Sequence, residues 1–284
     1  MPEPRVLAVR NDPDDPLGPL AGWLQAAGVE PVEVPGNEVP DTLDGYAGLI
    51  VLGGYMGAND DAEHPWLARV KALLREAVTR EVPTLGICLG GQLLAAANGG
   101  RVERSPDGPE YGAQLVAKRT AAAQDPLFRP LPIAPDVIQW HVDAITRLPP
   151  GAIELASSPV CANQAFRLGR LAWGLQFHIE TTPELIRRWA QDDARALEGY
   201  DIEAILRRSD AAHADVAETW QPFIAEFAAI VRDPDAVPAP RTVPTSTAAP
   251  LTDPAAIRAA LAAEAQAARA PLLPMPTVRP TTDD

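Results

Sequence analysis

Thr84-Leu85-Gly86-Ile87-Cys88-Leu89-Gly90-Gly91-Gln92 is the stretch on which the reading of this chain turns. Pro83 restarts the chain, Thr84 to Cys88 has the length and apolar composition of a buried strand, and Leu89 to Asn98 reads as a helix closed by Gly99-Gly100. Cys88 therefore stands where a strand hands over to a helix. A nucleophile on so sharp a turn sits in strained backbone, and its neighbours two residues away must be small, which accounts for glycine at both 86 and 90. The positive end of the helix and its unpaired N–H groups favour thiolate over thiol there. In isolation, however, Cys88 reads as a small core residue, as free cysteines commonly do.

Outward from this turn, short apolar strands alternate with amphipathic helices, the pattern of a largely parallel sheet covered by helices. Val6 to Val9 is the first strand, Pro19 to Ala27 a helix, the region of Val32 a strand, and Gly48 to Leu52 an apolar strand buried on both faces that ends in Gly53-Gly54. His64 to Arg80 spaces Leu67, Val70, Leu73, Leu74 and Val78 by three and four, predicting a helix with one buried face. Between Arg101 and Phe177 the expected strands are Tyr111 to Ala117, Asp136 to Trp140, Ile153 to Ala156, Gln164 to Leu168 and Leu171 to Phe177. Pro183 to Leu197 and Ala204 to Val231 then read as helices. The expected organisation is one α/β domain with a mostly parallel central sheet over residues 1–231. A proline- and alanine-rich tail over 232–284 follows, with a short helix at 254–270 after the Asp253 cap.

The balance of 24 Lys+Arg against 38 Asp+Glu, a formal charge of −14, argues against nucleic acid or anionic membrane as partner. Two cysteines, Cys88 and Cys161, are too few for a disulfide framework and point to a reducing cytoplasm. The N-terminus lacks the layout of a signal peptide, and charge, Gly or Pro breaks every apolar run before it reaches bilayer length. The four histidines are scattered without paired ligand spacing, so no metal site is expected, and no cofactor either.

A second motif changes the weight given to Cys88. Trp173-Gly174-Leu175-Gln176-Phe177-His178-Ile179-Glu180 runs an apolar strand into a histidine and a glutamate. Residues two apart in a strand share a side, so Glu180 can fix the tautomer of His178 while His178 serves as base toward a sulfur. Cys161 lacks both elbow and base and reads as a core or loop thiol; His64 and His213 read as surface or capping residues.

Together, G-x-C-x-G-x-Q at residues 86–92 and Q-F-H-x-E at 176–180 resemble the class I, triad-type glutamine amidotransferase domain, similar to the amidotransferase part of GMP synthetase. The resemblance spans roughly residues 5–231. It also takes in Gly53-Gly54, Gln139-Trp-His-Val-Asp143, Leu155-Ala-Ser-Ser158 and Asn163-Gln-Ala-Phe166. It implies Cys88 as nucleophile on the glutamine amide, His178 as base and then acid, Glu180 as orienting carboxylate, and a γ-glutamyl thioester. It implies an oxyanion hole from the backbone N–H groups of Gly54 and Leu89 and a substrate contact from Gln92. His141 matches a family histidine on the acceptor side of the site, with a structural role beside Trp140 equally open. Ile179 departs from the proline usual between histidine and acid.

Family members usually pass ammonia to a synthetase, yet this chain has no P-loop pattern and only Lys71 and Lys118 as lysines. The expected activity is that of an amidotransferase or glutaminase supplying ammonia to a synthetase on a separate polypeptide. Two alternatives stand beside it: a γ-glutamyl peptide hydrolase with the same triad, and a binding or regulatory protein without catalysis.

Overall fold

The computed structural model describes residues 3–238. The chain divides into Met1–Pro240 and Arg241–Asp284, and the expected helix at 254–270 lies outside the described residues. An eight-stranded sheet forms the centre. Its strands are β1 (Arg5–Arg10), β2 (Glu30–Pro35), β3 (Gly48–Val51), β4 (Thr84–Ile87), β7 (Ala117–Lys118), β10 (Ile153–Ser157), β11 (Ala165–Leu168) and β12 (Ala172–Leu175), in the order β2-β1-β3-β4-β12-β11-β10-β7. From β2 to β12 every pairing is parallel, and from β12 to β7 every pairing is antiparallel. The sheet is thus mostly parallel with an antiparallel wing.

The continuous apolar runs read from the sequence occupy the sheet's middle because only a strand covered on both faces requires them. Val6, Ala8, Ile50, Leu85 and Ile87 face one side, against α1 (Pro19–Ala26), α4 (Pro183–Asp192) and α5 (Ile202–Arg232). Leu7, Val9, Leu49 and Val51 face the other, against α2 (Trp66–Arg80) and α3 (Leu89–Ala97). On α2 the buried face is Leu67, Val70, Leu73, Leu74 and Ala77; Val78 is only half-buried. No helix among the described residues is long and apolar enough to cross a membrane.

Two strands were not legible in the sequence. β5 (Arg101–Arg104) pairs with β9 (Asp143–Arg147), and three of the four β5 side chains are exposed, so no apolar run marks it. A further ribbon joins β6 (Glu110–Leu115) to β8 (Asp136–His141). The expected helix Pro183 to Leu197 ends at Asp192. Adjacent Asp192 and Asp193 oppose the negative end of the helix, and the Asp193 carboxylate takes the Trp140 indole N–H at 2.7 Å. The start of α4 follows its capping residues: the Thr182 hydroxyl accepts the Leu185 N–H at 3.3 Å and Pro183 opens the first turn. Past Arg232 the chain still packs, with Val237 buried and the Arg170 guanidinium donating to the Pro234 and Val237 carbonyls.

Candidate active site

β4 ends at Ile87 and α3 begins at Leu89, leaving Cys88 alone on the turn at φ 49°, ψ −110°. For a residue with a side chain that is strained backbone, tolerated when the surroundings over-determine it. Those surroundings are the glycines. A Cβ at Gly86 would stand 2.5 Å from the Gly90 carbonyl oxygen, and one at Gly90 would stand 1.9 Å from that of Val51. The Cys88 sulfur, nearly buried, lies 4.0 Å from the Trp140 carbonyl and 4.0 Å from the Gln176 side-chain nitrogen.

His178 and Glu180 reach the same cavity by a route other than strand alternation. β12 stops at Leu175, and the two residues follow in a bend. That bend is held to β8 by an isolated bridge in which His178 N–H donates to the Ile138 carbonyl at 2.8 Å. His178 Nδ1 meets Glu180 Oε1 at 2.5 Å, and Glu180 Oε2 accepts the Ile179 N–H at 2.8 Å. Both side chains are buried. Burial by itself disfavours a charged imidazole, but the Glu180 carboxylate and then the Cys88 sulfur outweigh it and hold His178 well above the ordinary histidine range. The indole of Trp189 stands edge-on to the His178 ring at 4.8 Å between centroids.

Cys88, His178, Gly54 and Gln92 line one cavity of about 640 Å³. The Leu89 N–H, at the first position of α3, has no carbonyl behind it inside the helix. A Cβ on Gly54 would stand 3.3 Å from the Leu89 side chain, which places the glycine loop beside the start of that helix. Gln92 points its amide at the protein: it donates to the Asp143 carbonyl at 3.1 Å and to Gln176 Oε1 at 3.3 Å. His141 is engaged at both nitrogens, with the Asp143 carbonyl at 3.0 Å and Glu110 Oε2 at 3.1 Å. Glu110, buried, also receives Gln164 and Ser158.

Cys161 belongs elsewhere. Burial, aided by the charge of Glu110, pushes its thiol up to about 12. His64 lies edge-on to Tyr55 and Trp66, while His213 is more than a surface residue. It bonds Thr181 Oγ1 at 3.2 Å and the Ser209 carbonyl at 2.6 Å, tying α5 to the residue after Glu180.

Three residues of this site were missed in the sequence: Gln176, Trp189 and Asp15. Gln176 lay within the second motif without an assigned role, and Trp189 sat on a helix face with no mark beyond apolarity. Asp15 lies between prolines in an acidic turn after β1, and it lines the cavity.

A cysteine on a strand-to-helix elbow, a buried histidine–glutamate pair in the same cavity, and a mostly parallel sheet beneath them define an α/β protein whose cavity has the groups that cysteine-based nucleophilic chemistry requires. The family model for glutamine amidotransferase class-I matches residues 24–190, and the chain belongs to that family. It is 34% identical over 149 residues to a GMP synthase (glutamine-hydrolyzing) of Christiangramia forsetii, covering 51% of this chain and 27% of that protein. It is 28% identical over 158 residues to gamma-glutamyl peptidase 3 of Arabidopsis thaliana, covering 53% and 61%. The chain thus spans about a quarter of the synthase. A crystal structure of a glutamine amidotransferase from Thermotoga maritima superposes with a TM-score of 0.71 at 30% identity, over 80% of this chain and 98% of that one.

Proposed function

We propose that this chain hydrolyses the side-chain amide of glutamine through a thioester on Cys88 and delivers ammonia to a synthetase on a separate polypeptide. The observation that carries the reading is the cavity shared by the strained Cys88 and the His178–Glu180 pair. The Cys88 sulfur, its proton held by His178, attacks the amide carbon. The carbonyl electrons move to an oxyanion facing the N–H groups of Gly54 and Leu89. His178 passes the proton to the departing nitrogen, ammonia leaves, and a γ-glutamyl thioester remains. Water, giving its proton to His178, resolves the thioester to glutamate and frees Cys88. Glu180 holds the imidazole in register throughout, and Gln92, through Gln176, fixes the sulfur's surroundings. His141, locked to Glu110, supports the wall of the cavity. A reducing cytoplasm suits a mechanism that needs a free thiol.

The size of the cavity favours a second reading. At about 640 Å³ it falls in the range that holds drug-sized ligands, more than glutamine needs. A γ-glutamyl peptide hydrolase, in which the leaving group is the amine of a peptide, would use that space.

Steady-state ammonia release from glutamine, run beside hydrolysis of a γ-glutamyl dipeptide and beside Cys88→Ala, tests both. Turnover of glutamine that vanishes in Cys88→Ala supports the first reading, and preference for the dipeptide supports the second. Wild type matching Cys88→Ala on both substrates, with candidate synthetases added, would sink both and leave a binding role.

A further inference from the structure

Asp15 is 2% exposed and borders the cavity that holds Cys88 and His178. Among the described residues no N–H or O–H group donates to either of its carboxyl oxygens. The Gly53 backbone lies so close that a Cβ there would stand 2.1 Å from Asp15 Oδ2. What the oxygens face is the Glu180 carboxylate, with His178 beyond it; one polar atom from each of the three residues lies within 4.8 Å of the other two. Two ionised carboxylates in a buried site repel, and a single imidazolium balances only one of them. A proton between the two carboxyl groups removes the conflict. One tetrahedral ion cannot take both His178 Nδ1 and Glu180 Oε1, because at 2.5 Å they are closer than two ligands each about 2 Å from it, so their pairing leaves the proton as the simpler bridge.

We infer that Asp15 is a positioning residue that stays protonated and donates a hydrogen bond to Glu180, limiting how tightly Glu180 holds the imidazolium of His178. The inference rests on the proposed roles of His178 and Glu180. Burial first, then the charge of Glu180, push the Asp15 carboxyl well above the ordinary carboxylate range; Asp12 adds to this and His178 opposes it. These are the ionisable groups that bear on Asp15: Glu180 and His178 from the bend after β12, and Asp12 from its own turn. His178 must take a proton from Cys88 and return it to the leaving nitrogen. A second full negative charge beside it would hold the proton on the ring and slow the return. A neutral Asp15 leaves Glu180 with one charge, spread over hydrogen bonds from His178, Ile179 and Asp15.

The test uses the full chain with Asp15→Asn and Asp15→Ala. A difference infrared spectrum of wild type against Asp15→Asn at neutral pH should show the carbonyl stretch of a protonated carboxylic acid. This band is read without turnover, so it judges the inference even if cysteine-dependent hydrolysis is not found. In the pH profile of kcat/KM, Asp15→Asn, which keeps a neutral donor, should stay within about 3-fold of wild type with the alkaline limb unmoved. Asp15→Ala should lose about 10- to 100-fold in kcat at little cost in KM, with the alkaline limb moved upward because Glu180 then grips the imidazolium harder. Absence of the band overturns the inference. So does Asp15→Asn losing as much as Asp15→Ala with both limbs moved downward, the result of removing an anion. Equal losses in the two variants with no movement of either limb would show a merely structural role and overturn it as well.

Discussion

The α carbon of Gly90 lies against the Val51 carbonyl so closely that a Cβ at 90 would stand 1.9 Å from the oxygen. The first turn of α3 is thereby wedged between the ends of β3 and β4, and Cys88 is held in its strained conformation by backbone on both sides. Gly90→Ala has no flexible side chain to push aside and should destabilise the fold by about 1–3 kcal/mol or more. Urea denaturation followed by circular dichroism measures it, and an unchanged midpoint would contradict the wedge.

The two cysteines should separate cleanly in reactivity. Cys161 is buried, with its thiol pushed up to about 12, so at neutral pH it stays protonated and inert. Iodoacetamide on the native protein, read by peptide mass spectrometry, should modify Cys88 and spare Cys161. Cys161→Ala should leave turnover intact where Cys88→Ala abolishes it.

Native Asp15 and native His178 both hold their protons more tightly than in the unfolded chain. The native state then binds more protons than the unfolded one, so their contribution is fully present below each group's unfolded value and is lost as pH rises through its native value. For Asp15 the loss begins above about pH 4, the ordinary carboxylate value. Asp15→Asn should therefore gain stability relative to wild type as pH rises from 4 toward 8, by up to about 1.4 kcal/mol per pH unit where the one proton is at stake. Chemical denaturation at matched pH values checks this; a constant difference between the two proteins would count against a protonated native Asp15.

Asp125 is buried beneath β11 and β12, accepting N–H groups from Leu127 and Phe128 and the Trp173 indole, and facing Arg167 at 3.5 Å. Burial outweighs these partners and raises its carboxyl. Arg167→Leu leaves that acid without its only guanidinium among the described residues and should cost about 3–5 kcal/mol near neutral pH. Thermal unfolding at pH 7 and at pH 5 tests it: the deficit should shrink at pH 5, where Asp125 takes up a proton more readily.

Gln92→Leu strands Gln176 Oε1, a buried acceptor, at about 1–3 kcal/mol, while the Asp143 carbonyl keeps its bond to His141. Because Gln176 also approaches the Cys88 sulfur, kcat should fall more than stability alone requires. Comparing kcat with the denaturation midpoint separates the effects, and a stable variant with wild-type kcat would remove Gln92 from the site's support.

Much of the fold and site could be read from consecutive residues. The spacing of Leu67, Val70, Leu73 and Leu74 predicts α2, the unbroken run at Gly48 to Val51 predicts a central strand, and Gly86 and Gly90 around Cys88 predict the elbow, because periodicity and turn sterics are local properties. β5 escaped because an edge ribbon of exposed charged residues has no apolar signature. The end of α4 escaped because Asp193 was drawn to Trp140, a partner remote in sequence.

By itself, then, the sequence determined which strands are buried, that Cys88 stands on a strand-to-helix elbow, and which histidine and glutamate share its cavity. Tertiary structure alone decided how that pair meets: in a bend pinned to β8 by Ile138 rather than along a strand. It alone also brought the acid of a turn after β1 against Glu180, and turned Gln92 and His141 toward the protein. Charge state and hydrogen-bond pairing depend on burial and on distant backbone brought near, and no spacing between residues encodes either.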